Sequence, residues 1–436
     1  MTELFESYHA LVDAPNTMMS KYLAEDQEDV PQLSFDWCGC ATTRRDSPRP
    51  LLIPGARLDR SKQPIYADLK RKVRAYFGEE GIKRGDHKCT WAAWARYMFF
   101  TFMFVVSLHA WINGKWWSLI GMPWFYWVGP SGLMHSGSHS ALSKKPWINR
   151  AGAYSGSAHV SALHWYHQHV IGHHCHTNIE GYDPDLTHFQ HEDDASPGYR
   201  LHADQPWMEK YLTWRSAMPM QAFFASAGPA IVNQMKYIME EKFGCTPVLN
   251  QSTARMVWHV LGRIAIVYCA FVYPFQVFDL QKAFFFATFP YGFHGMIFFG
   301  FSQVSHLNEG LMNSQLDIKG AQKREWAAHQ ILTCCDYNTD SLLWRTLSIG
   351  LNAQAIHHIF PGIEPCHYGP LSEILAETCK EHNLPYSNYP NFVAAIRAHV
   401  DYVASMNDPI TKGNAVDVTS ISATPQQLKG KGTKAQ

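Results

Sequence analysis

Charge disappears from this chain in long blocks, and no other feature constrains its fold as tightly. Between Arg96 and Lys115 there is no Asp, Glu, Lys or Arg, and the same holds from Lys115 to Lys144. Two later blocks, 264–278 and 283–308, are equally free of charge and rich in Phe, Ile and Val. A helix rises about 1.5 Å per residue, so roughly 20 apolar residues cross the ~30 Å hydrocarbon core of a bilayer. Four stretches fit: 94–112, 116–135, 257–278 and 284–304. The third carries Arg263, which is expected to snorkel toward the interface from near the helix start. Only Asn113-Gly114-Lys115 joins the first pair, and only 279–282 joins the second. That pattern implies two membrane hairpins in an all-α integral membrane protein of four transmembrane helices.

The charges outside these blocks sort the two sides of the membrane. Each hairpin tip carries a single basic residue, Lys115 or Lys282, whereas the N-terminal segment and 140–215 hold many Lys and Arg. By the positive-inside rule both termini and the 140–215 region are cytosolic. The uncharged 216–235 stretch is then expected to lie at the interface, because a fifth span would separate the termini. Domain boundaries follow: a cytosolic segment 1–90, a membrane domain 91–405, and a disordered tail 406–436. The N-terminus lacks the charged start and apolar core of a signal peptide. Lys+Arg and Asp+Glu are both 37 in 436 residues, which leaves no electrostatic footprint for nucleic acid. Ten scattered Cys without zinc-ribbon spacing fit free thiols in a reducing compartment.

The 24 His are not scattered. His135 and His139 stand four apart at the cytosolic end of the second expected span. The run 164–178 reads HWYHQHVIGHHCHTN, in which His169 and His173 are again four apart and His174 is adjacent. His306 follows the fourth span, and Gln354, His357 and His358 sit together in an uncharged segment. Residues four apart share a helix face. On the two-hairpin arrangement all these groups meet at the cytosolic side. Imidazole suits Fe, Zn, Cu and Ni, and no Cys or carboxylate has the spacing of a rival site. Eight His and Gln354 are too many for one four-coordinate ion and enough for two. A histidine-rich two-metal site facing an apolar substrate reads best as a non-haem di-iron centre that activates O2. His164, His167 and His176 are weaker candidates. His109, His259 and His294 fall inside spans, where an ionisable group is functional by default. His188, His191, His202, His329 and His367 read as solvated or as supports for the ligands.

These motifs resemble those of the membrane fatty-acid desaturases, specifically the front-end type without a fused cytochrome b5 domain. The resemblance runs over about 90–405. It rests on QHVIGHHCHTNIEGYDPD, similar to the second histidine box, and on EWAAHQILTCCDYNTDSLLWRTLSIGLNAQAIHHIFPGI, similar to the third box and its approach. Gln354, where other desaturases carry His, is the front-end hallmark. The resemblance implies four spans, a cytosolic cap holding two irons, and the endoplasmic reticulum membrane. It implies that His135, His139, His169, His173, His174, Gln354, His357 and His358 are metal ligands, with His306 a further one. It also implies O2 as co-substrate, a polyunsaturated acyl-CoA or acyl-lipid desaturated toward its carboxyl end, and two electrons per turnover from cytochrome b5 or ferredoxin. With no HPGG haem motif in 1–90, that donor is expected to be a separate protein, and Lys70, Arg71, Lys72 and Arg74 are a candidate docking patch. The first box departs from the family pattern: Ser136 follows its first His, where an acidic residue is usual. Two alternatives stay open at this point, a di-iron acyl hydroxylase or acetylenase, and a non-catalytic lipid-binding relative.

Overall fold

The computed structural model describes residues 63–179, 183–185, 252–308, 311 and 324–405, together with the backbone of short strands at 33–35, 41–43, 242–243 and 246–247. The expected interfacial stretch 216–235, the tail 406–436 and most of 1–62 lie outside the described residues, as do His188, His191 and His202.

Helices begin where a short polar side chain precedes an apolar run. Thr90 accepts from Ala93 N at 3.3 Å and opens the Trp91–Ile112 helix. Ser252 caps Thr253–Val267 through Arg255 N, and Asp279 caps Leu280–Ser302 through Lys282 N at 3.0 Å. Such a cap contributes about 1 kcal/mol. Among the described residues three helices are long and apolar enough to cross a membrane: Trp91–Ile112, Thr253–Val277 and Leu280–Ser302. Thr253–Val277 runs through a π turn at Tyr268–Val272, just before Pro274, whose ring nitrogen has no proton to return to the preceding turn. Phe102, Trp258, Leu261, Ile264 and Phe284 stand exposed along these helices, an apolar belt suited to lipid.

The stretch expected as the second span differs. Residues 118–138 form one helical run in three parts, Ser118–Tyr126, a π turn Trp127–Ser131, and Gly132–Ser138. Pro123 and Pro130 interrupt its hydrogen-bond ladder, and Trp, Gly, Ser and His dilute its apolar content. Instead of facing outward it is buried from Tyr126 to His139. A Cβ on Gly129 would come within 2.6 Å of Thr101 N, so only glycine lets this run pack so closely on Trp91–Ile112. The two hairpin tips touch. Gly114 adopts φ +66°, and a Cβ there would strike the Lys282 side chain. Lys282 in turn lies 4.8 Å over the Phe278 ring.

Arg263 does not snorkel as expected. Its side chain is buried, and its guanidinium donates to the carbonyls of Ser157 and His159. Those carbonyls belong to a loop packed into the bundle, so the cation finds acceptors inside the protein.

The other half of the molecule is a cap. Helices Pro64–Phe77, Trp326–Leu332, Gln354–Ile359 and Tyr368–Glu381 bury Leu69, Val73, Ile331, Ile356, Phe360, Leu371 and Leu375 in one core. The fold is mainly helical, although the all-α expectation misses the strand pairs. In the cap, Cys335–Tyr337 pairs in parallel with Ser387–Tyr389. The physical reason is Asp336, which accepts from Tyr386 Oη at 2.5 Å and from Ala355 N at 3.0 Å and so fixes both segments. The basic residues proposed for docking are largely used within the cap. Arg71 and Lys72 pair with Asp68, Lys72 also with Glu381, and Arg74 with Glu79.

Candidate metal centre

Each histidine group is delivered by a different device. Gly132–Ser138 carries His135 and ends at His139, and the turn closes through Ala141 N to Ser136 O at 2.8 Å. Ser161 caps the short helix Ala162–Trp165 by accepting from His164 N at 3.0 Å. The chain then widens into a π-helix, Tyr166–His173, a geometry that often marks functional sites. Its larger turn stacks the His169 and His173 rings at 5.2 Å; they join different all-histidine clusters, while both also face Asp185. His306 lies just past the end of Leu280–Ser302, with its amide donating to Gln303 O at 3.1 Å. The Gln354–Ile359 helix starts at the Asp336 carboxylate, where a negative charge suits the helix dipole.

These devices bring all nine expected residues together. His135, His139, His169 and His357 offer nitrogen atoms within 4.8 Å of one another, and so do His173, His306 and His358. His174 bridges the two clusters: its Nε2 is 3.3 Å from His169 Nε2, and its ring stacks on His358 at 4.3 Å. The Gln354 side-chain amide lies 2.8 Å from His306 Nε2 and 3.1 Å from His358 Nε2.

The outward nitrogens are held by the protein. His173 Nδ1 meets Asp183 at 2.9 Å, His169 Nδ1 meets Asp185 at 2.9 Å, and His358 Nδ1 meets Gln330 Oε1 at 2.9 Å. His306 Nδ1 faces Thr333 O at 3.2 Å, and His357 Nδ1 faces Tyr368 Oη at 3.3 Å. An acceptor on Nδ1 places the proton there and leaves Nε2 with a lone pair pointing inward. Inside the cluster, His135 Nε2, His357 Nε2 and Gln354 Oε1 are buried with no hydrogen-bond partner. Leaving such atoms unmet costs about 1–3 kcal/mol each, and a metal ion is the partner that lone pairs of this kind suit. Burial pushes His174, His306, His357 and His358 well below the ordinary imidazole value of 6.5, aided by neighbouring His rings, so all are neutral and able to ligate. The donor set therefore fits a metal centre.

Comparison with known proteins places the chain in a family. The family model for fatty acid desaturase matches residues 110–390, well over half the chain. The chain belongs to the fatty acid desaturase family. The probable Delta(5) fatty acid desaturase C of Dictyostelium discoideum is 28% identical over 428 residues, covering 94% of this chain and 85% of that protein. An acyl-lipid (8-3)-desaturase of Mortierella alpina is 25% identical over 421 residues, covering 92% and 85%. An sn-1 linoleoyl-lipid 6-desaturase of Synechocystis sp. is 26% identical over 363 residues, covering 78% and 94%. This is thus a membrane oxidoreductase that introduces double bonds into fatty acyl chains.

In the desaturase, a cavity runs from the bundle to the histidines. Trp127, Met134, Trp165, Phe298 and Ile349 form its apolar wall, and His135, His169, His173, His306 and Gln354 close its polar end. Trp127 and Phe298 line it, whereas Trp124 packs on Phe293 and Phe301, Phe125 near Phe100, and Phe299 beside Phe298. The weaker histidine candidates are engaged elsewhere. His164 contacts Gln168, His167 Nδ1 faces Leu163 O at 2.9 Å, and His176 Nδ1 faces Gly172 O at 3.0 Å. His329 is buried and holds Thr177 O at 2.7 Å, while His109 meets Asn113.

Sequence reasoning missed the residues that orient the ligands. Asp183 and Asp185 were visible only as part of the DPD that trails the second box. A His-to-Asp separation of 10 or 16 residues carries no helical signal. Asp336, Gln330 and Tyr368 come from other parts of the chain, and no local pattern marks them.

Proposed function

We propose that the enzyme is a front-end desaturase with two irons, held by His135, His139, His169, His173, His174, His306, Gln354, His357 and His358. The observation that carries this reading is the grouping of the nitrogens into two all-histidine clusters, each within 4.8 Å, with His174 between them and the Gln354 amide beside His306 and His358. When bound, the irons supply the O2 chemistry that removes hydrogen from unactivated CH2 groups, which side chains alone cannot do. The protein's share is positioning. The Asp183 and Asp185 carboxylates hold the His173 and His169 rings with Nε2 inward. Trp127, Trp165 and Phe298 keep the acyl chain against the cluster and exclude water from its polar end.

The topology we favour has four spans, with 118–138 as the inner fourth, both termini and the cap cytosolic, and the endoplasmic reticulum as the host membrane. Its domains are 1–90, 91–405 and 406–436. Electrons come from a separate cytochrome b5 or ferredoxin. The substrate is a polyunsaturated acyl-CoA or acyl-lipid, in keeping with relatives named Delta(5) and (8-3)-desaturases.

Expression in yeast fed eighteen- and twenty-carbon polyenoic acids tests this. A new cis double bond on the carboxyl side of existing ones, absent with His173→Ala, is the expected product. A hydroxylated or acetylenic product, or a double bond on the methyl side, overturns the front-end reading.

A further inference from the structure

The departure at Ser136 has a counterpart elsewhere in the fold. Ser136 Oγ lies 3.2 Å from Tyr97 Oη, and Tyr97 Oη donates to Glu364 Oε1 at 2.9 Å. Glu364 is fully buried, and its Oε2 has no hydrogen-bond partner. It lies 267 positions from Tyr97 in sequence and six beyond His358. The backbone clamps it: Glu364 N donates to His87 O at 3.0 Å, and His367 N donates to Glu364 O at 3.0 Å. Lys88 ties the same loop to the end of the first histidine box, donating to Gly362 O at 2.8 Å and to Ser140 O at 3.0 Å.

We infer that Glu364 supplies, from the third-box loop, the carboxylate that the first box lacks at Ser136, and that through Tyr97 and Ser136 it sets the aim of His135 and His139. The argument is rotational. Successive helix residues are about 100° apart, so Ser136 sits roughly 60–100° around the axis from both histidines. Pinning its hydroxyl fixes the rotation of Gly132–Ser138, and with it the direction of both imidazoles. The His135 and His357 ring centroids stand 4.5 Å apart, so rotation of this helix changes how their nitrogens face one another. Burying a carboxylate is costly, and a neutral side chain would join these three segments more cheaply. Its charge is met on one side by the cations Lys88 and Arg96, and on the other the hydroxyls of Tyr97 and Ser136 lead from it to the helix that carries His135. Glu364, Tyr97 and Ser136 are positioning residues, and the inference rests on the metal-centre reading above.

The test is a charge relocation in the full-length membrane protein, read as iron affinity and iron retained against a chelator, with melting temperature as the folding control. Glu364→Gln is expected to weaken iron binding about 10- to 100-fold. Ser136→Asp combined with Glu364→Gln is expected to recover most of that loss, because the two sites are coupled through Tyr97. Tyr97→Phe, which removes only the relay hydroxyl, gives a smaller loss and serves if Glu364→Gln fails to fold. Unchanged iron affinity in both single variants, or a double variant no better than Glu364→Gln, overturns the inference. Wild-type protein that binds no iron overturns the metal-centre reading instead.

Discussion

The two histidine clusters are built differently. In the cluster of His173, His306 and His358, every ring is held individually through Nδ1, by Asp183, by the Thr333 carbonyl and by Gln330. In the cluster of His135, His139, His169 and His357, one ring has a carboxylate, His169 on Asp185, and its face also stacks on Trp165 at 4.1 Å. His135 rides on the Gly132–Ser138 helix, and His357 meets Tyr368 in a long 3.3 Å contact. One cluster thus has a close acceptor on every Nδ1, whereas the other depends more on the docking of the helix that carries His135. The first should fail one ligand at a time, and the second when its helix turns.

Acid should erase the difference, with the largest effect. Burial lowers the imidazoles of His169, His174, His306, His357 and His358 below 6.5, so folded protein binds fewer protons than unfolded. Their stabilising contribution is complete above pH 6.5 and is lost as pH falls, by about 1.4 kcal/mol per pH unit for each ring. Asp336 and Glu364, both raised to about 6 by burial, and Glu325, also raised, act with the opposite sign, but these carboxyls are outnumbered by the lowered imidazoles. Below about pH 6 the metal should leave both clusters and the melting temperature of the metal-free protein should fall, which metal analysis and thermal melts across pH would reveal.

Asp183→Ala comes next. It removes the support of His173 and also the acceptor for Asn178 N at 2.8 Å and Asp185 N at 2.9 Å. Metal affinity should drop about 10- to 100-fold at the ring-by-ring cluster, with the other cluster keeping most of its metal. Equal loss from both would break the comparison. Tyr368→Phe should do least, because its hydroxyl contact with His357 is long: a change of about 1 kcal/mol or less in stability, measured by denaturant titration of the cap, and little change in iron content.

The bundle and the cap also differ in how far sequence revealed them. Charge-free blocks mark the three long apolar helices because lipid imposes one simple condition over 20-odd residues. The run 118–138 was harder to read, since its inner position permits Pro, Gly and Ser that an outward-facing span would not carry. The convergence of the nine residues was legible in part because the four-residue spacings of His135 and His139 and of Gln354 and His358 survive into helices. Their partition was not visible, because a π turn at Tyr166–His173 separates His169 from His173. Arg263 was misread for lack of the Ser157–His159 carbonyls, and Asp183, Asp336 and Glu364 act across contacts that only folding creates.

The central claim is that two metal clusters share one histidine cage. Iron per chain, measured on protein purified from membranes, tests it most directly when wild type is compared with His306→Ala. The account expects about two irons in wild type and about one in the variant, because seven to nine nitrogen and oxygen donors exceed the four of a closed single-ion site. One ion per chain in wild type, or a variant that keeps both, would contradict it.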